Sequence, residues 1–248
     1  MRFTFRFRWI PFLAALAVAA AGVALGEWQR GRAVTKENIA AAMQARDSMP
    51  VLQLPGDALE RPIDEIEFRH VLARGEFMPN YLLYLDNRPH DGRAGLVLVA
   101  PLRMADGKVV LVMRGWFARD PQDRSRVPHA QIPQGEVQVS GRLRRDTGHL
   151  LQLGQAAPLK PGAIVQNLQP GDFAKATGLQ VLPFIIEESK TEPQAADGLV
   201  RDWPLPASDA DRNRGYAFQW YALAVTALVF FLVTGFRNRS GTKQDTGS

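Results

Sequence analysis

The stretch from Tyr216 to Phe236 carries no charged residue and is fenced by Arg212 and Arg214 on one side and by Arg237 and Arg239 on the other. A helix of that length spans roughly 30 Å, the thickness of a bilayer's hydrocarbon core. A buried helix of a soluble domain rarely runs so far without a charge and then meets arginine at both ends. The segment therefore reads as a transmembrane helix. Tyr216, Trp220 and Tyr221 occupy its first turns, where amphipathic rings prefer the membrane boundary. Tyr216, Gln219, Leu223 and Thr226 recur at steps of three and four, which gives the first half of the helix one polar edge. An amide facing lipid is costly. Gln219 either meets another helix or a bound polar group, or it lies among hydrated headgroups.

A second uncharged run, Trp9 to Gly26, follows Arg2, Arg6 and Arg8 near the start. A basic start, an apolar run and small residues at Ala19, Ala21 and Ala24 also describe a cleavable signal peptide. The run is long for a signal core, however, and Gly22 with Gly26 makes the small-xxx-small pair that lets two membrane helices approach. A retained anchor beside the second span is the expectation. Basic residues near the membrane ends place both termini in the cytoplasm, because long loops are translocated largely regardless of charge. The expected order is a cytoplasmic segment (1–8), a first transmembrane helix (9–26), a periplasmic domain (27–213), a second transmembrane helix (214–236) and a cytoplasmic tail (237–248).

The intervening segment has the length of one domain, and a composition of 46% hydrophobic and 22% charged residues suits a folded one. A net charge of +5 would suit nucleic acid, but the arginines are scattered and an exported domain meets none, so the excess reads as membrane flanks and solvated surface. The absence of cysteine removes disulfides, thiolate metal sites and covalent c-type haem attachment.

Helical propensity continues the first helix out of the membrane to about Arg46, and Asp47, Ser48 and Pro50 end it. Val51 to Ile66 reads as a loop with a helical turn. Strands are predicted at Glu67–Phe77, Tyr81–Asn87, Ala94–Arg103, Lys108–Phe117, Glu136–Arg145, Ala163–Gln169 and Val181–Ser189, with a short helix around Phe173–Gly178 capped by Gly171-Asp172. Asp106-Gly107 is the clearest hairpin signal and suits a turn with two positive φ angles. The fold class is thus a membrane protein in which two transmembrane helices flank one β-rich, α+β extracytoplasmic domain, built as an antiparallel sheet or small barrel.

No catalytic constellation emerges. His70, His90, His129 and His149 are dispersed, phosphate-loop and nucleophile-elbow patterns are missing, and Glu187 and Glu188 read as the solvated end of a strand. The residues argue for no enzyme and no metal site. Arg114-Gly115-Trp116 is more unusual: Arg114 pairs with a carboxylate or holds an anionic group, and Trp116 stacks or packs. Arg88 stands in the turn after its strand and is a similar candidate for contact with a ligand or partner.

The segments LGEWQRGR (25–32), YLDNRPHDGRAG (84–95), VAPLRMADGKVVLVMRGWFARD (99–120), GRLR (141–144), LPFI (182–185), DGLVRDWP (197–204) and RGYAFQWYALA (214–224) occur in that order. Together they resemble the Surfeit locus protein 1 family, the cytochrome c oxidase assembly factors, over nearly the whole chain. The resemblance implies an inner-membrane chaperone of respiratory-chain biogenesis that assists haem a insertion into, or maturation of, subunit I of an aa-type oxidase. Its partners would be subunit I, other assembly factors and the bilayer. Haem a would be held transiently by Tyr216, Gln219 and Trp220 on the second span with Trp28 and Gln29 after the first. Family members often carry histidine, a proposed haem ligand, where this chain has Asn213, and an amide is a far poorer iron ligand than imidazole. A cofactor-free scaffold for nascent oxidase subunits is the alternative.

Overall fold

The computed structural model describes residues 3–5, 7–56, 61–123, 126–127, 131–151, 157–190, 197–203 and 210–238; His129 lies outside them. In chain order its elements are β1 (Phe3–Phe5), α1 (Trp9–Asp47), β2 (Leu52–Leu54), α2 (Ile63–Ile66), β3 (His70–Phe77), β4 (Leu83–Leu85), β5 (Gly95–Arg103), β6 (Val109–Ala118), β7 (Glu136–Arg144), β8 (Ile164–Val165), α3 (Pro170–Thr177), β9 (Val181–Glu188), α4 (Ala210–Gly235) and β10 (Phe236–Asn238). The chain divides into two compact units, residues 1–41 with 205–248, and residues 42–204.

The first unit is a helix pair. Helices α1 and α4, 39 and 26 residues long, are both long and apolar enough to cross a membrane. Their buried positions keep a heptad spacing: Ala15, Ala19, Gly22, Gly26 and Ala33 on α1 follow at steps of four, three, four and seven, and Ala210, Ala217, Ala224 and Phe231 on α4 at steps of seven. That spacing is a coiled-coil seam, and its small residues bring the backbones close. A Cβ on Gly22 would lie 2.8 Å from the Trp220 carbonyl oxygen, and one on Gly26 would lie 2.4 Å from the Tyr221 ring. At the other end of the pair Phe5, Phe7 and Phe12 gather around Phe231, with ring centroids 5.5–6.1 Å apart. There β1 pairs antiparallel with β10, so both described chain ends lie at the same end of the pair.

The second unit is a β-barrel with extensions. Its sheet order is β2-β3-β7-β9-β6-β5-β4-β8, and a further β3–β5 pairing at Glu76↔Arg103 and Phe77↔Leu102 closes β3-β7-β9-β6-β5 into a ring. Strands β5 and β6 are near-continuous apolar runs because both of their faces are covered. Strands β3 and β7 alternate buried and open positions, as strands with one wet face do.

The small-barrel expectation therefore holds, but the pairing is mixed rather than antiparallel: β2–β3, β4–β8 and β6–β9 run parallel. The crossover through β8 and α3 returns the chain so that β9 enters between β7 and β6 in the direction of β6. Two local expectations are also corrected. The Asp106-Gly107 turn has positive φ at Gly107 alone, and the Gly107 N–H donates to the Met104 carbonyl at 2.9 Å, the signature of a type I turn followed by a glycine bulge. Helix α3 begins at Pro170 with no side-chain cap, so Gly171 and Asp172 lie inside it.

Closure of the ring needs glycine at position 75, where a Cβ would lie 2.2 Å from the Arg103 carbonyl oxygen. Gly75→Ala should lower stability by about 1–3 kcal/mol, the range for overpacking against backbone. Thermal unfolding of the full chain in detergent measures this, with Gly171→Ala, which meets open space, as the neutral comparison.

Candidate functional site

Candidate residues fall into two clusters, one in each unit. In the helix pair Asn213 is the centre. The Lys36 ammonium donates to Asn213 Oδ1 at 2.9 Å, and Asn213 Nδ2 donates to Gln29 Oε1 at 2.6 Å. Gln29 and Lys36 lie seven residues apart on α1, two turns on one face, so one amide on α4 reaches both. On either side the Tyr221 hydroxyl donates to Glu27 Oε1 at 2.8 Å, and Arg214 lies 2.6 Å from Glu37 Oε1 as an ion pair without hydrogen-bond alignment.

Gly26 against Tyr221, with the Glu27 bond beside it, sets that part of α4 level with the first charged residue after the apolar run of α1. Gln219, two residues earlier on α4, therefore sits where the apolar run has ended. It is exposed and forms no hydrogen bond among the described residues, so α1 is not its partner. Trp28 and Tyr216 are also exposed, with the Arg32 guanidinium 5.3 Å over the Trp28 ring, while Trp220 is half-buried with its carbonyl against Gly22. The structure thus joins Asn213 to Gln29 and leaves Trp28, Tyr216 and Gln219 facing outward.

In the barrel, Arg114 is the extra residue of a bulge between β5 and β6: Leu98 pairs with Gly115 and Val99 with Met113. A bulge re-aims the side chain it carries. The Arg114 guanidinium turns inward, donating to Glu188 at 2.9 Å and to Asp197 at 3.3 Å, and lies 4.7 Å over the Phe77 ring. Arg201 completes the group, 2.5 Å from Asp197 and 3.3 Å from Glu188. All four side chains are at most 10% exposed. Two positive and two negative charges leave this buried cluster neutral, so Arg114 is engaged by carboxylates of its own chain.

Trp116 donates its indole N–H to the Arg88 carbonyl at 2.6 Å and packs against His90 at 5.1 Å between centroids. The Arg88 guanidinium donates to the carbonyls of Gly148 and Gln166 at 3.1 and 3.0 Å. Both residues fix the loop after β4. Among the described residues no three His, Asp or Glu side chains gather where they would hold a metal ion.

Glu187 and Glu188, read from sequence as a solvated strand end, are buried. Burial pushes the Glu187 carboxyl above its usual range, against the attraction of Arg144 and Arg142, the former bonded to it at 2.9 Å. Asp197 goes the other way: burial raises it, but the Arg201 bond, the Leu199 N–H and the Arg114 charge outweigh that and hold it below the usual range. Asp197 and Arg201 were missed as functional partners in the sequence, although their i, i+4 spacing and the alternation Asp197, Leu199, Arg201, Trp203 were available as signals.

A β-barrel inserted between two antiparallel helices, each a candidate membrane span, defines the class. The pattern of the SURF1 family matches residues 16–225, and the chain belongs to that family. It is 28% identical over 243 residues to a SURF1-like protein of Rickettsia bellii, covering 91% of this chain and 94% of the relative. A SURF1-like protein of Rickettsia felis is 26% identical over 219 residues, with 85% and 90% covered. The cytochrome oxidase assembly protein SHY1 of Saccharomyces cerevisiae is 29% identical over 115 residues, which cover 45% of this chain and 30% of that one.

Arg114→Met leaves Glu188 and Asp197 facing Arg201 alone, and should cost about 3–5 kcal/mol in chemical denaturation, the range for breaking a buried ion pair from one side. The two shifted carboxyls give opposite pH slopes. The lowered pKa of Asp197 stabilises the fold above the ordinary aspartate range, and this is lost as pH falls through the folded value. The raised pKa of Glu187 makes the fold bind the proton more tightly than the unfolded chain, so stability falls as pH rises from 4.5 through the higher folded value. Glu187→Gln should remove that fall in unfolding curves recorded across mildly acidic pH.

Proposed function

We propose that this chain is an assembly factor of an aa-type cytochrome c oxidase. Both helices hold it in the cell's inner membrane, with both termini cytoplasmic and the barrel periplasmic. It acts on subunit I, alongside other assembly factors, during haem a insertion or maturation of that subunit, without chemistry of its own. Family membership and the assembly role carried in the yeast relative's name support this reading. The pairing of β1 with β10 supports termini on one side of the membrane, and the arginines flanking the apolar runs support that side being cytoplasmic.

Haem a is cargo in this reading, and Asn213 does not fit the role of its iron ligand. The Asn213 amide is spent on Gln29 and Lys36, it is a poor ligand by chemistry, and none of the described residues of the helix pair is histidine. This observation favours the second form of the reading, a scaffold that steadies nascent subunit I without holding the cofactor. Exposed Trp28 and Tyr216 at the end of the apolar runs remain the surfaces on which an apolar, planar guest would lie.

Affinity purification of the full chain from membranes that are assembling the oxidase should bring subunit I with it. The absorption spectrum of any haem that accompanies the wild type should lack an axial-ligand signature that Asn213→His introduces. Failure to recover subunit I would overturn the assembly role. A wild-type haem spectrum that Asn213→Ser alters in ligand field would overturn the assignment of Asn213 as a non-ligand.

A further inference from the structure

We propose that residues 197–203 form a releasable clasp on the barrel, a strand-like segment able to leave β6 and return without stranding a buried charge. The side chains of Asp197, Leu199 and Arg201 are buried, Gly198 and Asp202 are exposed and Val200 is half-buried, and Trp203 follows in the inward phase, its indole N–H donating to the Glu188 carbonyl at 2.8 Å. Among the described residues the backbone is held to β6 at one place: Trp116 and Val200 exchange both N–H···O bonds, at 2.7 and 2.8 Å. This is a single bridge where the true strands of the barrel make ladders.

The ion pairs divide along the same seam. Within the barrel Arg114 and Glu188 are 2.9 Å apart, and within the segment Arg201 and Asp197 are 2.5 Å apart. The two contacts that cross the seam, Arg114 to Asp197 and Arg201 to Glu188, are both 3.3 Å, and the Arg201 Nε of the second is not aligned for a hydrogen bond. Each side thus carries its own neutral pair. Removing one partner of a buried ion pair is costly because the other stays charged and dry, whereas the Asp197–Arg201 pair departs together and leaves Arg114 and Glu188 matched. Opening then costs the Trp116–Val200 bonds, the Trp203 bond, the Arg114–Asp197 bond, the packing of Val200 and Trp203 against the core around Trp116, and the burial of Leu199 among Tyr84, Leu96, Leu98 and Phe117.

Amide hydrogen exchange on the full chain in detergent micelles tests this independently of any role in oxidase assembly. In the wild type the Trp116 and Val200 amides should exchange together, and faster than those of Leu111 and Val112 in mid-β6. Asp197→Asn buries an unmatched positive charge and should speed both amides about tenfold or more, while Asp197→Asn with Arg201→Gln, which removes the pair as a unit, should return them to within about threefold of wild type. Exchange of Trp116 and Val200 only in step with Leu111 and Val112 would overturn the clasp, even if neither variant folds. A double variant as fast as Asp197→Asn would overturn the division into neutral pairs.

Discussion

Gly22 and Gly26 decide how near α4 comes to α1, and the rest of the helix pair follows from that approach. With a Cβ at either position the second helix would meet carbonyl or ring at under 3 Å. With hydrogen there instead, Ala224 settles against Gly22, and Ala15, Ala19 and Ala33 on α1 and Ala217 on α4 are buried. In a bilayer there is little hydrophobic gain from joining two apolar helices, so close packing and polar contacts supply the association. The register set by the glycines puts Asn213 within reach of Gln29 and Lys36, Tyr221 within reach of Glu27, and β1 beside β10. The same register engages the Asn213 amide with Gln29 and Lys36 on α1.

In the barrel the corresponding constraint is the bulge at Arg114. A regular strand would point that side chain to the face opposite its neighbours' alternation. The extra residue turns the guanidinium toward Glu188 and Asp197 and ends the β6–β9 pairing at Met113↔Glu187. Beyond that point the edge of β6 is taken by Val200. A cluster of this kind gives little net stability compared with apolar packing, because four charges have been taken out of water. What it supplies is position: Asp197 and Arg201 meet Arg114 and Glu188 at this place on the barrel.

The long apolar runs of α1 and α4 were legible because a bilayer-length stretch without charge has few other readings. The seven strands from β3 to β9 were legible from β-branched runs and turn residues, to within a few residues at most ends. Strands β1, β2 and β10, three residues each, carry no periodicity to read. Parallel entry of β9 beside β6 is fixed by a crossover of long sequence separation, which local pattern does not reveal. Glu187 and Glu188 looked solvated because two adjacent carboxylates at a strand end usually are; their cationic partners come from β6, β7 and the segment after β9. Of the site residues, Asn213 and Gln29 were named separately, but the bond between them depends on the glycine register.

The SURF1 family and the yeast cytochrome oxidase assembly relative support a part in the building of an oxidase. The most direct measurement is the reduced-minus-oxidised spectrum of membranes from cells lacking the gene, with oxygen uptake driven by reduced cytochrome c. A lost or distorted a-type haem signal and reduced uptake, both restored by the intact gene, are expected. An unchanged spectrum and unchanged uptake, in cells that express an aa-type oxidase and carry no second copy of the gene, would contradict a part in that building.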